Sequence, residues 1–187
     1  MQTNTLLPSL LLLDRDESTK SAAEPVKWTE VSASVAFAKS NMNVVALAGA
    51  TLYALPGSNV SAGKGSVVYA KRASNVTADE GSIVIAEAGS VVLAKKGSHV
   101  YAGWKACVTA EDGAFITAEY GSSVKVDAQA LVHAEDGSHV TASNGAFVLA
   151  KQGATVEACE RSIVHCEVGS IVRQHCGSIT TQDAIAA

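Results

Sequence analysis

A glycine followed by serine or alanine returns every eight residues through most of this 187-residue chain. That period constrains the fold more than any other feature. Sixteen octads follow one another from Gly57 to Ala184 without insertion or deletion. Position one is Gly in twelve of them, with Ala73, Lys105, Gln129 and Arg161 as the exceptions. Position two is Ser or Ala in all sixteen, position four is Val in fourteen, and position six is Ala in twelve. Three weaker octads open at Ala33, Asn41 and Gly49 in the same frame, so the repeat region spans residues 33–184.

A period of eight leaves no apolar stripe at 3.6-residue spacing, which excludes a helix. Positions two, four and six alternate, so they share one face of a strand. That face is small, β-branched, small, and as the least variable face it is expected to point inward. Glycine at position one suits a corner whose backbone conformation only Gly adopts freely. The Lys, Glu, Asp and Asn residues of positions seven and eight suit exposed turns. Aromatic residues are only 5% of the chain, so the core must be made of small aliphatics. Two sheets with such a lining approach closer than the usual ~10 Å.

The outward positions, three and five, set the number of strands per turn. Counting Gly49 as octad zero, even octads place aliphatic or aromatic residues at fourteen of twenty outward positions, and odd octads at five of eighteen. All three Phe and three of the four Tyr occupy these outward positions of even octads. This sorting predicts a sixteen-residue turn of two strands. The fold class is therefore all-β, a single-stranded parallel β-solenoid flattened into two sheets, with about nine turns. The alternative, a three-sided helix of twenty-four residues per turn, does not sort the residues in this way.

The pattern resembles the wider group of bacterial β-solenoids built from short tandem repeats, which includes calcium-binding nonapeptide rolls and hexapeptide helices. The resemblance is architectural and covers residues 33–184. The calcium-roll motif G-G-x-G-x-D is absent, so its metal sites are not implied. The octad departs from the hexapeptide pattern, so acyltransferase activity is not implied either.

Residues 1–32 stand outside the repeat. Their apolar run at 6–13 is broken by Pro8 and Ser9, lacks a preceding basic region, and is followed by Asp14, Arg15, Asp16 and Glu17. It is too short to span a bilayer and a poor signal peptide. It is expected to form an end cap on the first turn; a leader for a specialised bacterial secretion route is the alternative. Residues 185–187 read as a tail. The four cysteines are too few for a disulfide scaffold and read as free thiols, which favours a cytoplasmic setting.

The net charge of −4 argues against nucleic acid as a partner, because such a binder carries a basic face. The strongest metal candidate is Cys159, Glu160, His175 and Cys176, two pairs each sixteen apart. Two thiols, an imidazole and a carboxylate suit Zn²⁺, but the spacing matches no standard zinc motif. Ordinary corner residues are the expectation, with no metal and no cofactor. A Cys/His nucleophile from the same residues would need a cleft that a convex corner does not offer. The acidic pairs Asp79/Glu80, Glu111/Asp112 and Glu135/Asp136 read as solvated corners, and His99, His133, His139 and His165 as surface histidines. Trp104 and Tyr120, sixteen apart, are expected to stack at a corner.

The apolar even face is the principal functional signal. It should align Phe37, Tyr53, Tyr69, Ile83, Ile85, Tyr101, Phe115, Leu131, Phe147, Leu149 and Ile163 along one side. A patch of this kind marks an interaction surface. The expectation is a non-enzymatic structural or interaction module that forms a homodimer or binds a protein partner. The alternative is a secreted bacterial effector or surface protein. Ice binding is a weaker reading, since Lys125, Glu157 and Arg173 interrupt the threonines of the polar face.

Overall fold

A computed structural model describes residues 27–182, other than 33, 34, 128 and 176. Residues 1–26 of the expected 1–32 cap, the tail and Cys176 lie outside the described residues. The described chain is all-β: twenty strands in two parallel ten-stranded sheets. One sheet runs from Trp28–Val31 to Ile171–Gln174, and the other from Ala36–Ala38 to Ile179–Gln182. Strands adjacent in sequence alternate between the sheets. We call these the odd and even sheets, after the octads that supply them.

Every pairing within the repeat links residues sixteen apart. In the odd sheet Val60 pairs with Val76 and Val76 with Val92. In the even sheet Val68 pairs with Val84 and Val84 with Val100. The turn is therefore sixteen residues. A twenty-four-residue turn would have stacked Val60 on Val84.

The strand Trp28–Val31 precedes the repeat frame and is set fifteen residues from its partner, with Trp28 opposite Asn43 and Val31 opposite Ala46. A sixteen-residue spacing would have aimed Trp28 and Glu30 inward. Because strand side chains alternate, the one-residue slip exchanges the faces. Thr29 and Val31 become the half-buried pair, while Glu30 stays exposed, so no carboxylate has to be desolvated.

The corners explain positions one and two. Ser98 is typical: its N–H donates to the Lys95 carbonyl at 3.0 Å, and its Oγ donates to the same oxygen at 2.6 Å. Gly97, the third residue of that turn, has φ of 71°. A left-handed third residue closing an i to i+3 bond matches a type II turn. Ala73, Lys105 and Arg161 adopt the same conformation without being glycine, with φ of 58°, 55° and 58°. Close approach adds a second constraint at Gly121, where a Cβ would sit 2.9 Å from Trp104 Cδ1.

Nine serines at position two are buried. Most of them send the hydroxyl to the corner carbonyl three residues back, as Ser58, Ser74, Ser90 and Ser138 do at 2.6–2.7 Å. Ser66 and Ser162 Oγ lack a partner. The interior is otherwise a continuous stack of Val and Ala, nearly all of it inaccessible to water. It opens at the two ends of the described rod: the inward Thr29 and Val31 of the first strand are half-buried, and in the last turn Val172 and Thr180 are half-buried and Gln174 and Gln182 are exposed.

Candidate interaction face

The pleat turns positions three and five of the even octads outward, forming two side-chain columns along the rod. The register places Phe37, Tyr53 and Tyr69 in consecutive rungs of the fifth-position column. Their rings stack, with centroids 5.1 Å and 4.8 Å apart and planes within 20° and 10°. Ile85 and Tyr101 continue that column. The third-position column carries Ile83, Phe115, Leu131, Phe147 and Ile163, each about 40% exposed. Tyr53, Tyr69, Ile85 and Leu149 are half-buried. All eleven residues expected on this face therefore lie on one side of one sheet.

The twenty outward positions of the even octads include no Asp, Glu, Lys or Arg. Charge is held at the corners instead, where residues sixteen apart pair between turns. Lys71 bonds Glu87, Lys95 bonds Asp79 at 2.8 Å, and Lys151 bonds Glu167 at 2.6 Å. The Asp79 carboxylate, by hydrogen bond and then by charge, holds the Lys95 ammonium above its ordinary pKa. The Lys151 hydrogen bond holds the Glu167 carboxyl below the usual carboxylate range. Such pairs stitch turn to turn but are exposed, and each is worth little alone.

Midway along the face Thr117 stands between Tyr101 and His133 in the fifth-position column. The small side chain leaves a depression of about 210 Å³, bordered also by His99, Phe115 and Leu131. His99 stacks on Phe115 with centroids 4.8 Å apart. The stack involves one of the histidines read as surface residues, and its only sequence signal is that His99 and Phe115 are sixteen apart. His133 Nε2 lies 3.5 Å from Glu135 Oε1, too long for a good hydrogen bond.

The odd face differs. Asn59 Nδ2 donates to Asn43 Oδ1 at 2.8 Å, and Asn75 Nδ2 to Asn59 Oδ1 at 3.0 Å. This amide ladder was legible as Asn at position three of three successive odd octads. Further along, Thr109, Lys125, Thr141, Glu157 and Arg173 occupy successive rungs of one column, so the threonines form no uniform array.

Among the described residues no three of His, Cys, Asp and Glu converge as metal ligands. Cys159 is half-buried and Glu160 and His175 are exposed at their corner; Cys176 lies outside the described residues. Cys107, Cys159 and Cys166 carry free thiols. Trp104 and Tyr120 each lie against the glycine that opens the octad of the next turn, Gly121 and Gly137, rather than stacking on each other. Lys105 Nζ sits 4.5 Å from the Trp104 ring centroid. Among the described residues no helix is long and apolar enough to cross a membrane.

No protein-family model matches the chain. No curated protein matches it either. Among solved structures it is similar to the crystal structure of a TibC-catalysed hyper-glycosylated TibA fragment. The two are 13% identical, with 87% of this chain and 82% of that chain covered and a TM-score of 0.32.

Proposed function

We propose that the chain is a non-enzymatic structural or interaction module: a rigid β-solenoid that associates with a second copy of itself through the even sheet face. One observation carries the reading. The even octads present an apolar, partly aromatic strip the length of the rod without an Asp, Glu, Lys or Arg among its outward positions. Leaving such a strip in water costs about 25 cal/mol per Å² of apolar surface. The odd face supplies no matching drive, because Asn, Thr, Lys, Glu and Arg interrupt it. One-sided association about a two-fold axis closes at a dimer instead of growing into sheets.

Light scattering on the full chain at micromolar concentration tests this. The expected mass is twice the 19.1 kDa of the chain. Ile85→Lys with Phe115→Lys should return it to the mass of one chain. A wild-type protein that stays at one chain mass would refute self-association and leave a foreign protein as the occupant of the face.

A further inference from the structure

We infer that the second copy docks with its rod reversed, about a two-fold axis running along the strands between His99–Ala102 and Phe115–Ala118. The inference rests on reading the even face as a self-association surface, and it supplies the geometry of that association. These are the fifth and sixth of the ten strands in the even sheet, so the axis lets every rung overlap a rung of the partner.

Side-chain size reverses at the same place. In the fifth-position column Tyr69, Ile85 and Tyr101 come before the axis, and Thr117, His133 and Leu149 after it. In the third-position column Val67, Ile83 and His99 come before it, and Phe115, Leu131 and Phe147 after it. Rotation about the axis keeps each column opposite itself and reverses the rung order. Tyr101 then enters the depression over the partner's Thr117, and Val67 meets the partner's Phe147. A large side chain thus falls on a small one at Tyr101 with Thr117 and at Val67 with Phe147, while Ile83 meets the partner's Leu131 and His99 meets the partner's Phe115.

Size alone would also admit a copy with its rod parallel, in which Tyr101 faces the partner's His99. Charge at the corners separates the two. Lys96 leads into the fifth strand and Lys105 follows it; Glu111 and Asp112 lead into the sixth and Glu119 follows it. All five are exposed. The reversed copy sets Lys96 beside the partner's Glu111 and Asp112, and Lys105 beside the partner's Glu119, each twice by symmetry. A parallel copy sets Lys96 beside the partner's Lys105 and the three acids beside one another. One rung further out, the reversed copy brings Asp79 and Glu80 toward the partner's Asp127 and Glu87 toward the partner's Glu135 and Asp136; a parallel copy brings Asp79 and Glu80 toward the partner's Glu87, so this rung favours neither. Asp79 is already bonded by Lys95 at 2.8 Å, and Glu80 lies 3.8 Å from Lys64. Complementary rims of this kind set orientation more than raw affinity. The contact is large enough: ten rungs at ~4.8 Å and a strip about 13 Å wide bury about 600 Å² per copy. That is about 1,200 Å² in all, the lower bound for a specific interface.

Spin labels at single corner sites test the geometry, in a chain carrying Cys107→Ser, Cys159→Ser, Cys166→Ala and Cys176→Ser. In the reversed dimer, labels at Ser40→Cys beside the first rung should lie about 43 Å apart, and labels at Arg72→Cys beside the third about 24 Å, for ~4.8 Å per rung. Lys96→Glu should weaken the dimer about tenfold, and adding Glu111→Lys should restore it. Equal short distances at both sites, or a tighter dimer from Lys96→Glu, would mean a parallel copy and overturn the inference while leaving the dimer. A one-chain mass for the labelled and the wild-type proteins alike would overturn self-association itself.

Discussion

The first turns of the solenoid carry a ladder on each outer face, and the two ladders do opposite things. On the odd face Asn43, Asn59 and Asn75 bond amide to amide, satisfying one another and leaving a surface that water wets. On the even face, at the same level of the rod, Phe37, Tyr53 and Tyr69 stack ring on ring and leave a surface that water does not. Behind both lies the same lining of Val and Ala, buried to the same degree. A solenoid thus separates two tasks that most folds mix. The inward positions of every octad hold the rod together, while the outward positions of alternate octads vary independently. The difference between the faces is a difference in outward chemistry, not in fold.

The largest expected effect follows from that separation. Lysines at Ile85 and Phe115 place four charges in the proposed contact of a dimer and should weaken association at least a thousandfold, about 4 kcal/mol. Lysines at Thr77 and Cys107, on the odd face, should leave the mass of the dimer unchanged. Equal losses from the two pairs, measured by sedimentation, would break the contrast between the faces.

Next comes the interior, where the faces should behave alike. Ala102 and Ala110 are both buried at position six, one in each sheet. Ala102→Leu and Ala110→Leu should each overpack the narrow space and cost about 1–3 kcal/mol in denaturant unfolding. An unchanged midpoint for either would show that its sheet does not share the common lining.

The ladders should respond less. Tyr53→Ala removes two ring stacks and should cost about 1–3 kcal/mol, at the lower end where the face is free of partner. Asn59→Ala removes two amide bonds that water can replace and should cost about 0.5–1 kcal/mol. A larger loss at Asn59 than at Tyr53 would reverse the roles given to the two faces.

The smallest effect is at the corners, common to both faces. Lys151 lowers the Glu167 pKa in the folded chain, so this group's contribution is present above its unfolded pKa and is lost as pH falls through the folded value. Glu167→Gln should therefore make the melting temperature fall slightly less between neutral and acid pH. A steeper acid dependence in the variant would give the corner pair the wrong sign.

Much of this was legible before any coordinates. Val in nearly every octad announced a shared lining, and the odd–even sorting of Phe, Tyr and Ile led directly to two sheets and a sixteen-residue turn. Those features are periodic, so each rung repeats the inference of the last. The failures lie where the period breaks or where a residue's neighbour is not its own kind. Trp28–Val31 joins the odd sheet at fifteen residues rather than sixteen, because burying Val31 and leaving Glu30 in water outweighs keeping the frame. Trp104 and Tyr120 have the spacing of a stack, yet each packs on the glycine of the next turn.

By itself, then, the sequence determined the strand period, the turn length, the inward face and the apolar outer face. All of these follow from which residue types recur, and recurrence is a property of the chain. The tertiary structure alone decided where the first strand slips, which non-glycine corners bear a left-handed backbone, and that Thr117 sinks a depression between Tyr101 and His133. Each of these depends on what lies one turn above or below. In a solenoid that neighbour is sixteen residues away in sequence, but the distance between its side chains is set by packing.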